Sequence, residues 1–109
     1  MMLETLTQAP SRSLDQRMEA LTRANEIRVA RAQLKRDLKQ RRVRIEQVIA
    51  DPPEYVLTAK VYDMLVAVPR LGRVKVGRLL TQCRISQSKT VGGLSERQRA
   101  ELLDMFRQN

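Results

Sequence analysis

The chain has 109 residues, 42% of them hydrophobic and 30% charged, which suits one folded domain and excludes an intrinsically disordered chain. Its net charge of +9 indicates a polyanionic partner, nucleic acid before an anionic membrane, with charge that serves only solubility as the alternative. The lone Cys83 and the absence of histidine exclude an internal disulfide and a Cys/His zinc site, so we expect neither metal nor cofactor.

The N-terminal segment, residues 1–12, is polar, contains Pro10 and shows no apolar periodicity, so we predict a flexible arm. It has neither the basic start nor the apolar core of a signal peptide. Nowhere in the chain does an apolar run approach the length of a membrane span. We therefore expect a cytoplasmic protein that neither crosses nor binds a membrane.

A long helix is predicted over residues 13–43, beginning at a capping box formed by Ser13 and Gln16. Apolar residues recur along it at steps of three and four and predict one buried stripe: Leu14, Met18, Leu21, Ile27, Ala30, Leu34 and Leu38. A second, basic face is predicted to carry Arg28, Arg31, Lys35, Lys39 and Arg42. Because like charges on one face repel, we interpret that face as a DNA-contacting surface, with a merely solvated face as the alternative.

Residues 44–109 are predicted to form a compact domain of short helices without a strand, so the fold class is all-α. Asp51 and Thr58 are interpreted as N-caps, Pro69 as the residue that ends a helix, and Ser95 with Gln98 as a capping box. The predicted helices cover residues 44–51, one turn near 55–57, 59–68, 73–83 and 96 onwards, with a polar loop over 84–93.

The stretch VPRLGRVKVGRLL, residues 68–80, is the main candidate site. A tight turn before a helix leaves the first backbone amides of that helix unpaired, and the helix dipole makes them an anion site. Gly72 would let a phosphate approach closely, and Arg73, Lys75 and Arg78 would add charge. The alternative is that Gly72 is only a helix C-cap. Six basic residues and no acid between Arg70 and Lys89 favour the phosphate site.

Three runs resemble the actinobacterial integration host factor family and together cover nearly the whole chain. They are ARAQLKRDLK (30–39), VYDMLVAVPRLGRVKVGRLL (61–80) and GLSERQRAELLDMF (93–106). The resemblance implies a long N-terminal helix packed with a small domain similar to the helix-two-turns-helix of ribosomal protein S13. It also implies a nucleoid-associated protein that binds duplex DNA with little sequence preference and compacts it, and in some members assists phage integration.

The resemblance implies DNA contacts at one turn, whose sequence in the family is P-K-V-G-K-V-K. The matching positions are Pro69, Arg70, Gly72, Arg73, Val74 and Lys75, where arginine replaces lysine and keeps the charge. This chain departs from the family at Val76 and Gly77, and its run TVGGLS stands where the family has a basic R-x-R-G-L-G. Lys89 is the nearest substitute for the arginine that the family has there. These departures from the family pattern indicate a divergent or phage-borne member.

Two other functions remain open at this point. One is binding of structured RNA or of the ribosome, because the hairpin is similar to that of S13. The other is a protein-interaction module built on the long helix, through which the chain could self-associate. An enzyme is not expected, because the chain lacks histidine and a second domain in which to build a pocket. For duplex DNA, about six phosphate contacts predict a log–log salt slope of roughly −5.

Overall fold

The computed structural model describes the backbone of residues 2–108 and the side chains of residues 14–107. Its elements are α1 (Met2–Lys39), α2 (Ile45–Ala50), a 3-10 turn (Glu54–Val56), α3 (Val61–Val66), α4 (Arg73–Gln82) and α5 (Glu96–Gln108). Within these described residues there is no strand, only an isolated antiparallel bridge between Lys60 and Thr90. The predicted all-α fold class is confirmed.

The first helix begins earlier and ends earlier than the sequence predicts. It starts at Met2 and not at the proposed cap Ser13, so residues 2–12 have helical backbone. The side chains of that segment lie outside the described residues, and its flexibility stays a prediction. The chain forms two compact units, Met1–Ala30 and Arg31–Asn109, so the predicted domain boundary at residue 44 falls inside the second unit.

The predicted buried stripe of α1 is wrong for its N-terminal part. Leu14, Met18 and Leu21 are 58%, 61% and 66% exposed. Their unit consists of one helix, so it contains no second element against which a stripe could be buried. Leu34 and Leu38, which belong to the second unit, are buried as predicted.

The core of the second unit is aliphatic, as the scarcity of aromatic residues predicts. Helix α3 packs against α4, and α5 packs against both α2 and α4. The side chains that face inward follow helical spacing: Ile45, Val48 and Ile49 in α2, Val61, Met64 and Leu65 in α3, and Val76, Leu79 and Leu80 in α4. Burial of these side chains is the main term that stabilises the fold.

Helix α1 ends at Lys39 in a Schellman motif whose left-handed residue is an arginine. The Arg42 amide donates to the Asp37 carbonyl at 2.8 Å and the Arg41 amide donates to the Leu38 carbonyl at 3.2 Å. Arg41 has φ 62°, a conformation that glycine or asparagine usually supplies. The prediction that the helix extends to residue 43 is therefore wrong, because the backbone reverses at Arg41.

Helix α4 ends in the same motif. The Ile85 amide donates to the Leu80 carbonyl at 2.8 Å, and the Arg84 amide donates to the Thr81 carbonyl at 3.1 Å. Arg84 has φ 56°. Among the described residues the backbone is left-handed only at Arg41, Arg70 and Arg84, and at no glycine.

The turn between α3 and α4 has the pattern of a type II turn. The Leu71 amide donates to the Val68 carbonyl at 3.3 Å, Pro69 occupies the second position, and Arg70 has φ 75° at the third. Helix α3 ends at Val66, two residues before the predicted end, because the residue that precedes a proline avoids helical angles.

Of the three caps predicted after α1, two are wrong and one is confirmed. Asp51 is the C-cap of α2, and Lys60 rather than Thr58 is the N-cap of α3. At the start of α5 the Gln98 amide donates to the Ser95 hydroxyl, and the Ser95 amide donates to the Gln98 side chain, both at 3.1 Å. That reciprocal pair is the predicted capping box.

The loop between α4 and α5 is held by backbone hydrogen bonds to the segment before α3. The Val61 amide donates to the Lys89 carbonyl at 3.0 Å, the Val91 amide to the Ala59 carbonyl at 2.9 Å and the Gly92 amide to the Leu57 carbonyl at 2.8 Å. A Cβ added at Gly92 would lie 2.9 Å from that Leu57 carbonyl oxygen, whereas a Cβ at Gly77 would meet only a side-chain nitrogen, at 3.5 Å.

This difference predicts opposite effects for two glycine-to-alanine variants. Gly92→Ala should lower the free energy of unfolding by about 1–3 kcal/mol, because backbone must move to admit the methyl group. Gly77→Ala should raise it by about 0.5–1 kcal/mol, because Gly77 is a helix-interior residue with room for a Cβ. Urea unfolding measures both, and equal shifts of the two variants would contradict the packing of this loop.

Candidate nucleic-acid interface

The N-terminus of α4 is open to an anion. Gly72 is its N-cap, with φ −85° and ψ 170°, and no side chain caps the helix. The first helical amide to reach a carbonyl is that of Val76, which donates to Gly72 at 2.9 Å. The amides of Arg73, Val74 and Lys75 therefore lack an intrahelical acceptor and point out of the helix end.

The structure rules out the interpretation of Gly72 as a helix C-cap. The left-handed residue of the turn is Arg70, and Gly72 has an extended backbone that any residue can adopt. A Cβ at Gly72 would meet nothing within 4 Å. The absence of a side chain at this position therefore serves no packing purpose, and it leaves the space in front of the α4 amides empty.

The residues around this helix end are exposed and basic. Gly72, Arg73, Lys75 and Arg78 are all exposed, and Val74 is 71% exposed. The ion pairs among the described residues join Arg42 to Asp37, Arg97 to Glu101 and Arg107 to Asp104, so none of them neutralises this helix end. The positive end of the α4 dipole and the free guanidinium and ammonium groups thus act at the same place.

Lys89, predicted as a substitute for an arginine of the family, lies in the loop between α4 and α5. Its carbonyl accepts the hydrogen bond from the Val61 amide, and its side chain is half-buried. The backbone bridge next to it fixes the position of the loop.

The predicted basic face of α1 is only partly present. Lys35 and Lys39 are exposed on the helix, and Arg28 is exposed within the first unit. Arg42 is not on the helix at all: it follows the Schellman turn, and its side chain pairs with Asp37 at 3.3 Å. Its place on a shared face is therefore a wrong prediction.

Arg31 has a structural contact that the sequence did not indicate. Its Nε donates to the Tyr55 carbonyl at 2.8 Å, and its Nη2 donates to the Thr58 hydroxyl. The half-buried guanidinium thus joins α1 to the segment that follows the 3-10 turn. Helical spacing places Arg31 on the edge of the basic face that lies next to buried Leu34 and Leu38, which is why it reaches the core side.

Two arginines near the α3–α4 turn were missed by sequence reasoning. Arg41 and Arg44 line an open cleft of about 380 Å³ together with Arg70. They come together only because α1 ends at Lys39 and the backbone reverses at Arg41, and this early end is not visible in the apolar periodicity.

Cys83 lies outside this candidate interface. Cys83 is buried, and burial raises the pKa of its thiol, with a further increase from the Glu101 carboxylate. This agrees with the interpretation of Cys83 as a small apolar core residue. The described residues contain no cluster of three or more potential metal ligands, and none of their helices is long and apolar enough to cross a membrane.

The contacts of Arg31 predict a stability effect that its neighbour on α1 lacks. Arg31→Ala should lower the free energy of unfolding by about 1–3 kcal/mol, because the Tyr55 carbonyl loses its charged donor. Lys35→Ala, which removes the same charge from an exposed position, should change it by no more than about 0.5 kcal/mol. Equal urea midpoints for the two variants would show that the Arg31 contacts do not stabilise the fold.

Comparisons with known proteins place this chain in a family. A sequence profile described as the S13-like H2TH domain matches residues 38–106. The integration host factor of Mycolicibacterium smegmatis is 36% identical over 102 residues, which span 92% of this chain and 97% of that protein. The integration host factor of Mycobacterium tuberculosis is 36% identical over 99 residues, which span 89% and 94%.

A solved structure is similar to most of this chain. It is the structure of sIHF bound to an 8bp palindromic DNA, with a TM-score of 0.71, 29% sequence identity, and coverage of 77% of this chain and 97% of that chain. The sequence matches cover α1 as well as the domain that carries the α3–α4 turn, and the expected S13-like fold is confirmed. The chain belongs to the integration host factor family and carries an S13-like H2TH domain over residues 38–106.

Proposed function

We propose that this protein binds double-stranded DNA through its phosphate backbone, with little sequence preference, and so shapes and compacts the nucleoid. The observation that carries the proposal is the uncapped N-terminus of α4, open to solvent within a segment that has six basic residues and no acid from Arg70 to Lys89. The similar protein sIHF was solved bound to DNA, which supports the same class of ligand here.

The α4 end supplies two kinds of phosphate contact. The amides of Arg73, Val74 and Lys75 point toward the space that Gly72 leaves empty, where a phosphate oxygen would accept hydrogen bonds and meet the positive end of the dipole. Lys75 and Arg78 are three residues apart and share a face of α4, so they would contact neighbouring phosphates of the same strand. Arg70 and Arg73, which precede and follow Gly72 in the sequence, would also contact phosphates.

Other basic residues would extend this surface. Lys35 and Lys39 on α1 are exposed, and Lys89 lies in the loop that is bonded to the start of α3. Arg28 belongs to the first unit and would contact a flanking stretch of duplex. Arg31 and Arg42 already have partners in the protein, so we assign them the role of holding the fold around the interface.

The side chains present favour duplex over single-stranded nucleic acid. Binding of single strands relies on aromatic side chains that stack on bases. The aromatic residues of this chain, Tyr55, Tyr62 and Phe106, are partly buried and pack against the core. Contacts made by amides and cations to phosphates carry no base information, so binding should depend on salt more than on sequence.

Removal of two charges at the α4 end should weaken binding to every duplex alike. For the wild-type protein, about six phosphate contacts predict a slope of log K against log salt of roughly −5. The double variant Arg73→Gln/Lys75→Gln should make the slope shallower by about 2, since each lost contact releases about 0.9 fewer counterions. Titrations of two unrelated duplexes across a salt series measure the slope and the selectivity together.

The matched control is Arg23→Gln/Arg107→Gln, which loses the same two charges from exposed positions, with Arg23 on a different face of α1 from Arg28, Lys35 and Lys39. It should leave the slope within about 0.5 of the wild-type value, since non-contacting charges release few counterions. A wild-type slope near zero would contradict the proposal. Stronger binding to structured RNA than to duplex DNA, in a competition between the two, would replace it with the RNA function.

Gly72→Ser tests the amides rather than the charges. A serine hydroxyl at an N-cap accepts a hydrogen bond from the second or third helical amide. It should therefore raise the free energy of unfolding by about 0.3 kcal/mol. The same hydroxyl would occupy the amides that a phosphate needs, and we expect affinity for duplex DNA to fall by about tenfold, or ~1.4 kcal/mol. Thermal unfolding and DNA titration should therefore move in opposite directions, and unchanged affinity would exclude the amides from the contact.

A further inference from the structure

The cleft beside the α3–α4 turn contains three arginines that belong to three different segments. Arg41 comes from the end of α1, Arg44 from the residue before α2, and Arg70 from the turn before α4. The apolar part of its wall includes Val68 and Pro69. All of these residues belong to the second compact unit.

The positive charge of the cleft is not neutralised by the protein. None of the ion pairs among the described residues includes Arg41, Arg44 or Arg70. One acid, Glu46, also lines the cleft. Three guanidinium groups around one carboxylate leave a net charge of about +2 in a recess, where the surrounding protein screens charges less than open water does.

Each of the three arginines occupies a position at which the local backbone favours another residue. Arg41 and Arg70 have φ 62° and 75°, in the left-handed region that glycine or asparagine adopts at lower cost. Arg44 is the N-cap of α2 and forms no side-chain cap, whereas serine, threonine, aspartate or asparagine would cap the helix. Positions where local rules are broken together, around one recess, are typical of functional sites.

We propose that this cleft, lined by Arg41, Arg44 and Arg70, binds a second phosphate group of the same DNA backbone that reaches the α4 N-terminus. The inference rests on the proposed function and extends it to a second phosphate site. Guanidinium groups suit this ligand because each offers paired donors to two phosphate oxygens. Val68 and Pro69 supply apolar surface against which the adjacent deoxyribose can pack.

The occupant is the bound DNA rather than a separate acidic protein because the two sites share Arg70. Arg70 lines the cleft, and it lies two residues before Gly72, so the two Cα atoms are at most about 7 Å apart. Successive phosphates of one strand advance about 3.4 Å along the duplex axis and also wind around it, so neighbouring phosphates lie about as far apart as these two Cα atoms. One strand can therefore contact the α4 amides and the cleft together.

The test uses variants that should keep or improve the fold while removing the proposed contact. Arg41→Gly and Arg44→Ser place the locally favoured residues at the Schellman position and at the N-cap. In the full-length double variant Arg41→Gly/Arg44→Ser, we expect a thermal midpoint no lower than that of the wild type. We also expect the slope of log K against log salt for duplex DNA to be shallower by about 2.

Two further variants distinguish the loss of charge at the cleft from the loss of charge elsewhere in the protein. Arg23→Gln/Arg107→Gln loses as much charge elsewhere and should shift the slope by less than about 0.5. Arg41→Lys/Arg44→Lys keeps both charges and should retain the wild-type slope within the same limit. A cleft double variant that behaves like the Arg23/Arg107 control, in a protein that otherwise binds duplex DNA, overturns the cleft site and leaves the proposed function standing.

Other outcomes overturn the inference in different ways. A wild-type protein with no salt-dependent duplex binding removes the proposed function and the cleft site together. A polyglutamate peptide that binds the wild type and not the cleft variant, while DNA slopes match those of the control, assigns the cleft to an acidic protein partner instead.

Discussion

The packing of α3 against α4 is the contact on which the interface depends. Buried side chains of both helices, Val61 and Leu65 in α3 and Val76 and Leu80 in α4, fix the angle at which α4 leaves the turn. The type II turn at Pro69 and Arg70 then presents the start of α4 to solvent with its amides unpaired. The proposed anion site therefore consists mostly of backbone, and its precision would come from the aliphatic core that lies behind it.

The charge of the protein works against this core. A net charge of +9 repels itself in the folded state, and the few ion pairs among the described residues are exposed, so each stabilises the fold by no more than about 1 kcal/mol. Hydrophobic burial must offset that repulsion in the free protein. A bound polyanion would relieve it, so DNA binding and stability should be coupled by mass action.

The sequence predicted the start of α4 better than it predicted the long helix, for a physical reason. The start of α4 is specified locally, by Pro69, by the absence of a capping side chain at Gly72 and by the charges that follow. Whether Leu14 and Met18 are buried or exposed depends on whether another element covers them, and apolar periodicity cannot show that. Arg31 looked like its basic neighbours, and only the fold placed the Tyr55 carbonyl within its reach. The end of the helix before Arg41 was not predicted, because an arginine with left-handed backbone has no sequence signal comparable to that of glycine.

The helix starts of this domain differ in whether the protein satisfies its own amides. At α5, Ser95 and Gln98 bond to each other's backbone, so that end is closed to an outside anion. Helices α2 and α3 also lack side-chain caps, but each has only six residues and so a short row of aligned peptide dipoles. Helix α4 combines ten residues with an open cap and no acid in its first turn. Among the described helices that start within this domain, α4 is therefore the one whose N-terminus has neither a side-chain cap nor an acid in its first turn. We expect its selectivity for phosphate to follow from what the chain omits at Gly72 as much as from the arginines around it.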